Sequence, residues 1–224
     1  MLTGKITEEI INAAFITEKR TSFTNRDEFS KEYIEPVNVV DEDDNIIGIE
    51  YTGLCHSLGL RHEAVFVLCI SPDGKMLVQR KKVGTDAGQD MLDVAVGGHA
   101  GANEDAGACA IRKIKEKFNF NPLIGRLKLI ASYNRNSPIP LTNPRKINNE
   151  RRFLFKYFVT DAEMAGLLET SLPRDKKDAA ATIDWRPKED ILEAINMGRT
   201  TDELLTCFIH YLIYKLPDSE INIG

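Results

Sequence analysis

Gly97-Gly98-His99-Ala100-Gly101-Ala102-Asn103-Glu104, followed after seven residues by Arg112-Lys113-Ile114-Lys115-Glu116-Lys117-Phe118-Asn119-Phe120, is the stretch that decides how this chain is read. Just upstream, residues 91–96 (MLDVAV) form a short apolar run that reads as a strand closed by the glycine pair. Downstream, residues 104–118 carry Ala108, Ile111, Ile114 and Phe118 at helical spacing. A strand, a glycine loop and a helix in that order turn backbone N–H groups and a helix N-terminus toward an anion.

Working outward, residues 37–51 (VNVVDEDDNIIGIEY) are two apolar runs around an acidic turn, a hairpin signal. Residues 62–70 (HEAVFVLCI) and 76–82 (MLVQRKK) flank Ser-Pro-Asp-Gly-Lys, which predicts a second hairpin. Residues 127–133, 151–159 and 182–187 read as further strands, and 188–197 as a helix. A last helix, residues 200–216, opens on a Thr-Thr-Asp-Glu capping pattern. Residues 6–19 have apolar positions at helical spacing, followed by a polar connection. The expected class is α+β with a mixed sheet between helices and added terminal helices. The expected division is a helical extension over 1–35, a central domain over 36–197 and a C-terminal helix over 198–224 packed on that domain.

The 224 residues, 42% hydrophobic and 28% charged, have an ordinary globular composition. A net charge of −5 gives no support to a nucleic-acid polymer as partner. No apolar run approaches the roughly 18 residues of a membrane span, and the N-terminal stretch mixes charges through its apolar positions, unlike a signal peptide. Four well-separated cysteines with no CxxC pair suggest reduced thiols and a cytoplasmic location.

The spacing of the decisive stretch resembles the Nudix box, G-x5-E-x7-R-E-U-x-E-E-x-G-U with U apolar. Gly98, Glu104, Arg112, Ile114, Glu116 and Phe120 fall in its register without a gap. The resemblance covers about residues 36–197 and is nearest the branch of isopentenyl diphosphate isomerases and their relatives, where an acidic hairpin also precedes a segment with histidines (here CHSLGLRHEAVFV). It implies the Nudix fold and hydrolysis of a small diphosphate-linked molecule, with Glu116, Arg112 and Glu104 as catalytic residues and Gly97, Gly98, Lys113, Lys117 and Arg152 toward the substrate.

Two carboxylates of the full box are replaced, by Lys113 and Lys117, and the box glycine is Asn119. At 100° per residue, positions 113 and 117 lie about 40° apart on one helical stripe, the stripe that in the family holds the divalent cation. Glu104, Lys113, Glu116 and Lys117 sum to zero charge, and a hard cation needs oxygen ligands, so Mg²⁺ or Mn²⁺ is weakly supported at this helix. Either the lysines hold the diphosphate as point charges, or they are solvated lysines on an exposed face.

The resemblance also offers a histidine site of His56, His62 and His99 with Glu150, beside whatever Glu116 and Glu104 contribute, and such a donor set favours Zn²⁺ or another transition metal. Five residues separate His56 from His62, one fewer than the branch's spacing. The isomerase's catalytic cysteine falls at Gly97, which argues against isomerisation. Arg151, Arg152 and Lys156, after Arg145 and Lys146, read as a basic stretch near the pocket mouth or a solvated strand end. Phe153, Phe155 and Tyr157 read as one core face, Cys109 as core, and Trp185 as packing. The alternatives are a non-catalytic diphosphate- or nucleotide-binding protein with no metal, and a different His/metal reaction. The apolar last helix suits packing on its own domain or on a second copy in a homodimer.

Overall fold

Asp41-Glu42-Asp43-Asp44-Asn45 reverses the chain because the Asp41 carboxylate accepts from the backbone of Asp43 and Asn45, both at 2.9 Å, and Asp44 takes φ 67°. The computed structural model describes residues 35–83, 89–118, 120–138, 146–164 and 183–215. The predicted N-terminal helix over 6–19 and Arg145 lie outside the described residues. The acidic turn joins β1 (Pro36–Val40) to β2 (Ile46–Tyr51), antiparallel with Pro36 opposite Tyr51. Ser71-Pro-Asp-Gly-Lys75 joins β3 (His62–Ile70) to β4 (Met76–Val83) as expected, with Gly74 at φ 82°.

The remaining elements are α1 (Thr52–Leu58), β5 (Gln89–Val94), β6 (Val96–His99), α2 (Ala106–Phe118), β7 (Leu127–Pro138), β8 (Ile147–Phe158), β9 (Ile183–Arg186), α3 (Lys188–Asn196) and α4 (Asp202–Lys215). The class is α+β with a mixed sheet. The path runs β2-β1-β3-β4-β5, with β6 and β8 on β3, β7 on β8 and β9 on β4.

The chain divides into two compact units. Met1–Glu63, Gly101–Asn103 and Asn134–Glu150 form the first, and Ala64–Ala100, Glu104–Tyr133 and Arg151–Gly224 form the second. In the first, Val37, Val39 and Cys55 make a small core on which Leu60 packs. In the second, the two-residue period of β3 serves two cores. Val65, Val67 and Cys69 meet Cys109, Ala110, Ile114 and Phe118 of α2, while Leu68 and Ile70 meet Ile191 of α3 and Leu204, Cys207 and Phe208 of α4. β8 divides likewise, with Phe155 and Tyr157 in the α2 core, as predicted, and Leu154 in the other. Trp185 packs against the α2 core.

Two expectations are corrected. Residues 91–96 are not one strand closed by glycines: β5 ends at Val94, and Gly97 and Gly98 lie inside β6, opposite Phe66 and Val65. Residues 52–58 form a further element, α1, which Gly59 ends in the left-handed conformation at φ 67°. The last helix is capped by Thr201, whose hydroxyl oxygen accepts from the Leu204 N–H at 3.2 Å, so Glu203 is not at the box position of a Thr-Thr-Asp-Glu cap.

Candidate functional site

On α2 the guanidinium of Arg112 is the hub. It donates to Glu104 through Nε at 2.7 Å and Nη2 at 2.6 Å, to Glu116 Oε1 at 2.9 Å, and to the His99 carbonyl at 3.2 Å. Lys113 Nζ lies 3.4 Å from Glu116 Oε2. Each cation here faces a carboxylate, so the group is close to neutral without an added ion. Burial pushes the Glu116 carboxyl up, but the Arg112 hydrogen bond and the Lys113 charge outweigh it and hold Glu116 below its ordinary range. A carboxylate so stabilised is a poor proton acceptor.

Lys113 is paired with an acid one turn away, Glu116, as expected for a helix-face lysine, but it is not solvated: its side chain is 14% exposed and runs along Gly98. A Cβ at Gly98 would stand 2.6 Å from Lys113 Cε, which the flexible lysine end can yield, so it is the backbone φ of 155° that favours glycine here. Lys117 Nζ donates to Gln79 Oε1 at 2.8 Å. Lys117 is an exposed residue, yet the desolvation its ammonium meets beside Gln79 pulls its pKa down, with the Asp93 carboxylate opposing. The turn that presents α2 comes after β6, at Gly101–Asp105, where Asn103 takes φ 62° and its N–H donates to Asn38 Oδ1 at 3.1 Å.

The first unit gathers His56, His62 and Glu150, whose ligand atoms lie within 4.8 Å of one another. Gly59 makes this possible. By turning the chain back after α1 it brings His62, at the start of β3, beside His56, with ring centroids 4.8 Å apart and planes at 79°. His56 Nδ1 meets the Ile147 carbonyl at 3.2 Å, and His62 Nδ1 meets the Leu60 carbonyl at 2.9 Å. A carbonyl only accepts, so Nδ1 carries the proton in both rings, and in the neutral imidazole Nε2 carries the lone pair, the arrangement that prepares it to bind a metal. His62 Nε2 stands 3.9 Å from Glu150 Oε1, and both residues are buried. Two imidazoles and a carboxylate at these separations fit a transition ion such as Zn²⁺ or Mn²⁺. The α2 set does not fit Mg²⁺, because its carboxylates Glu104 and Glu116 are engaged by Arg112, and Lys113 stands beside Glu116. His99 belongs to the second unit, where it ends β6 opposite Ala64 of β3.

Residues 60–205 match the model of the NUDIX domain. The chain belongs to the Nudix family. An uncharacterised Nudix hydrolase of Streptomyces coelicolor is 33% identical over 89 residues, 40% of this chain and 49% of that protein, so the chain spans about half the length of the curated relative it matches. A Deinococcus radiodurans protein of known crystal structure superposes with TM-score 0.52 at 17% identity, over 81% of this chain and 100% of its own, and supports the Nudix fold. The Nudix domain of Shewanella oneidensis NrtR, solved in complex with ADP ribose, is 15% identical with TM-score 0.41, over 67% of this chain and 86% of its own.

Within this Nudix chain, Gly97 and Gly98 present their backbone to the β3 ladder and not to an open loop. A Cβ at Gly97 would lie 2.9 Å from Phe66 Cδ1, so the cysteine of the isomerase branch has no room there. Gly97→Cys is expected to cost about 1–3 kcal/mol by displacing the ring. Chemical denaturation checks this, and unchanged stability would show that Phe66 yields freely.

Arg152 and Lys156 are not a solvated strand end: they are 2% and 6% exposed. Arg152 lies 5.1 Å over the Phe66 ring and 3.7 Å from Glu203, and Lys156 Nζ lies 4.2 Å over the Tyr214 ring. All four cysteines are free and buried, and burial pushes the Cys109 thiol up to about 12, so it is a core residue and not a nucleophile at neutral pH. No helix of the described residues is long and apolar enough to cross a membrane.

Proposed function

We propose that this chain hydrolyses the phosphoanhydride of a small diphosphate-linked molecule, a nucleoside diphosphate derivative or similar, with its metal at the histidines and not on the box helix. The observation that carries the reading is the pair of imidazoles, His56 and His62, each with Nδ1–H committed to a backbone carbonyl and each beside the buried Glu150. A bound transition ion supplies Lewis acidity toward a phosphoryl oxygen and an acidified water.

The protein's own part is to hold the ligand tautomers through Ile147 and Leu60, and to fix Glu116 as an ionised carboxylate between Arg112 and Lys113. Glu116 and Glu104 act in this reading as the frame of α2, and Lys113 as fixed positive charge toward a phosphate. The four buried thiols support a cytoplasmic, reducing setting.

Phosphate release from a panel of ADP-ribose, nucleoside diphosphates and isopentenyl diphosphate, with Mn²⁺, Zn²⁺ or Mg²⁺, tests the reading. Turnover with Mn²⁺ or Zn²⁺ should fall at least about 100-fold in His56→Ala and survive in Glu116→Gln. Turnover with Mg²⁺ alone that vanishes in Glu116→Gln would return the chemistry to the box helix. A second reading, a diphosphate-binding protein without turnover, is favoured by the nearly neutral Arg112 cluster. Metal-independent binding of the same probes without phosphate release would establish it.

A further inference from the structure

Asp93, on β5, is 7% exposed, and its neighbours form a continuous polar chain through the second unit. Its Oδ1 accepts from the Thr201 hydroxyl at 2.6 Å, and its Oδ2 lies 3.4 Å from Gln79 Nε2. Gln79 and Asp93 are register partners across β4 and β5, so the backbone ladder itself holds the amide against the carboxylate. The other end of that amide, Oε1, accepts from Lys117 Nζ at 2.8 Å. The amide has one orientation that satisfies both ends, oxygen to the ammonium and nitrogen to the carboxylate, and so it passes positive charge toward Asp93. On the far side the Thr201 oxygen accepts from the Leu204 N–H at the start of α4.

We infer that Lys117 is a fixed counter-ion of Asp93, reached through the Gln79 amide, and that this relay ties the last turn of α2 to the N-terminus of α4. A buried carboxylate is costly without nearby positive charge, and an ammonium built into the helix supplies it with no exchangeable ion. Lys117 is therefore a positioning residue rather than a phosphate contact. A carboxylate at 117 would place two negative charges at the ends of one neutral amide. The change that brings position 117 back to the box pattern is thus penalised by a residue outside the box, and neutralising Asp93 relieves the penalty.

The test is thermal unfolding of the full chain as wild type, Lys117→Glu, Asp93→Asn and the double variant, with and without Mg²⁺. Lys117→Glu should lower Tm by roughly 2–4 °C, since Lys117 is exposed and water screens the reversed charge, and adding Asp93→Asn should recover at least half of that loss. Millimolar Mg²⁺ should raise the Tm of Lys117→Glu, where it neutralises facing carboxylates, and leave wild type unchanged. Unaltered Tm in Lys117→Glu, or no recovery in the double variant, overturns the inference.

If Lys117→Glu does not fold, Lys117→Gln and Asp93→Asn form the same cycle. A double loss smaller than the sum supports the relay, and strictly additive losses overturn it. Metal content at the histidines is untouched in these variants, so the outcome stands apart from that of the hydrolase reading.

Discussion

Glu150→Gln should leave the fold in place and abolish metal retention, with affinity for Zn²⁺ or Mn²⁺ weakened by more than about 100-fold. The substitution keeps volume and shape at a position only 4% exposed, so packing around β8 is preserved while the anionic donor is lost. The neutral amide presents an uncharged oxygen to the ion, and the remaining imidazoles offer no charge compensation. Elemental analysis of purified protein and competition with a colorimetric chelator measure the change. Full metal occupancy in Glu150→Gln would show that the ion sits elsewhere, and would remove the main support for a histidine-based hydrolase. His62→Gln is a weaker probe, because His62 is completely buried and its loss also disturbs the start of β3.

Arg112→Ala should cost about 2–3 kcal/mol, a fall in Tm of roughly 5–10 °C. One guanidinium satisfies Glu104 twice, Glu116 once and the His99 carbonyl once, so its removal leaves two carboxylates and a carbonyl short of donors. The side chains are 30%, 19% and 52% exposed, and water replaces part of the loss, which keeps the figure below that of a fully buried triad. Arg112→Lys should recover less than half, since a single ammonium cannot span four acceptors set in a planar fork. Equal stability of Arg112→Ala and wild type would mean that α2 is held by its apolar face alone.

Both hairpins, the box register and the α2 core face were legible in the sequence, because each depends on neighbours along the chain. The Asp41 turn and the Pro-Asp-Gly turn carry their own hydrogen-bond chemistry, and Ile114 and Phe118 reach the core at the helical period. What escaped depends on partners remote in sequence. Gly97 and Gly98 read as loop residues, yet the Phe66 ring at Gly97 and the φ of 155° at Gly98 favour glycine within a strand. Arg152 and Lys156 read as solvated because charge usually is, but β8 is covered on both faces and the two cations rest on aromatic rings. α1 is too short to show a period, and Gly59 reveals it only once its left-handed conformation is seen. His56, His62 and Glu150 were nameable as candidates from the resemblance, whereas the commitment of both Nδ1 atoms was visible only in three dimensions. Asp93 was not singled out, although an acid flanked by Leu92 and Val94 in an apolar strand is itself a mark of a buried partner.

The division of β3 between two cores has a consequence for how this chain can change. Val65, Val67 and Cys69 face one helix layer, and Phe66, Leu68 and Ile70 face the other. Inserting or deleting a single residue here would exchange the two sets, sending every downstream side chain of the strand to the wrong layer at once. Point substitutions that respect size can be absorbed one at a time, but a frame slip in this segment has no gradual route. Length variation in this protein is therefore confined to the turns at either end of β3, and the strand behaves as the fixed ruler against which both helical layers are set.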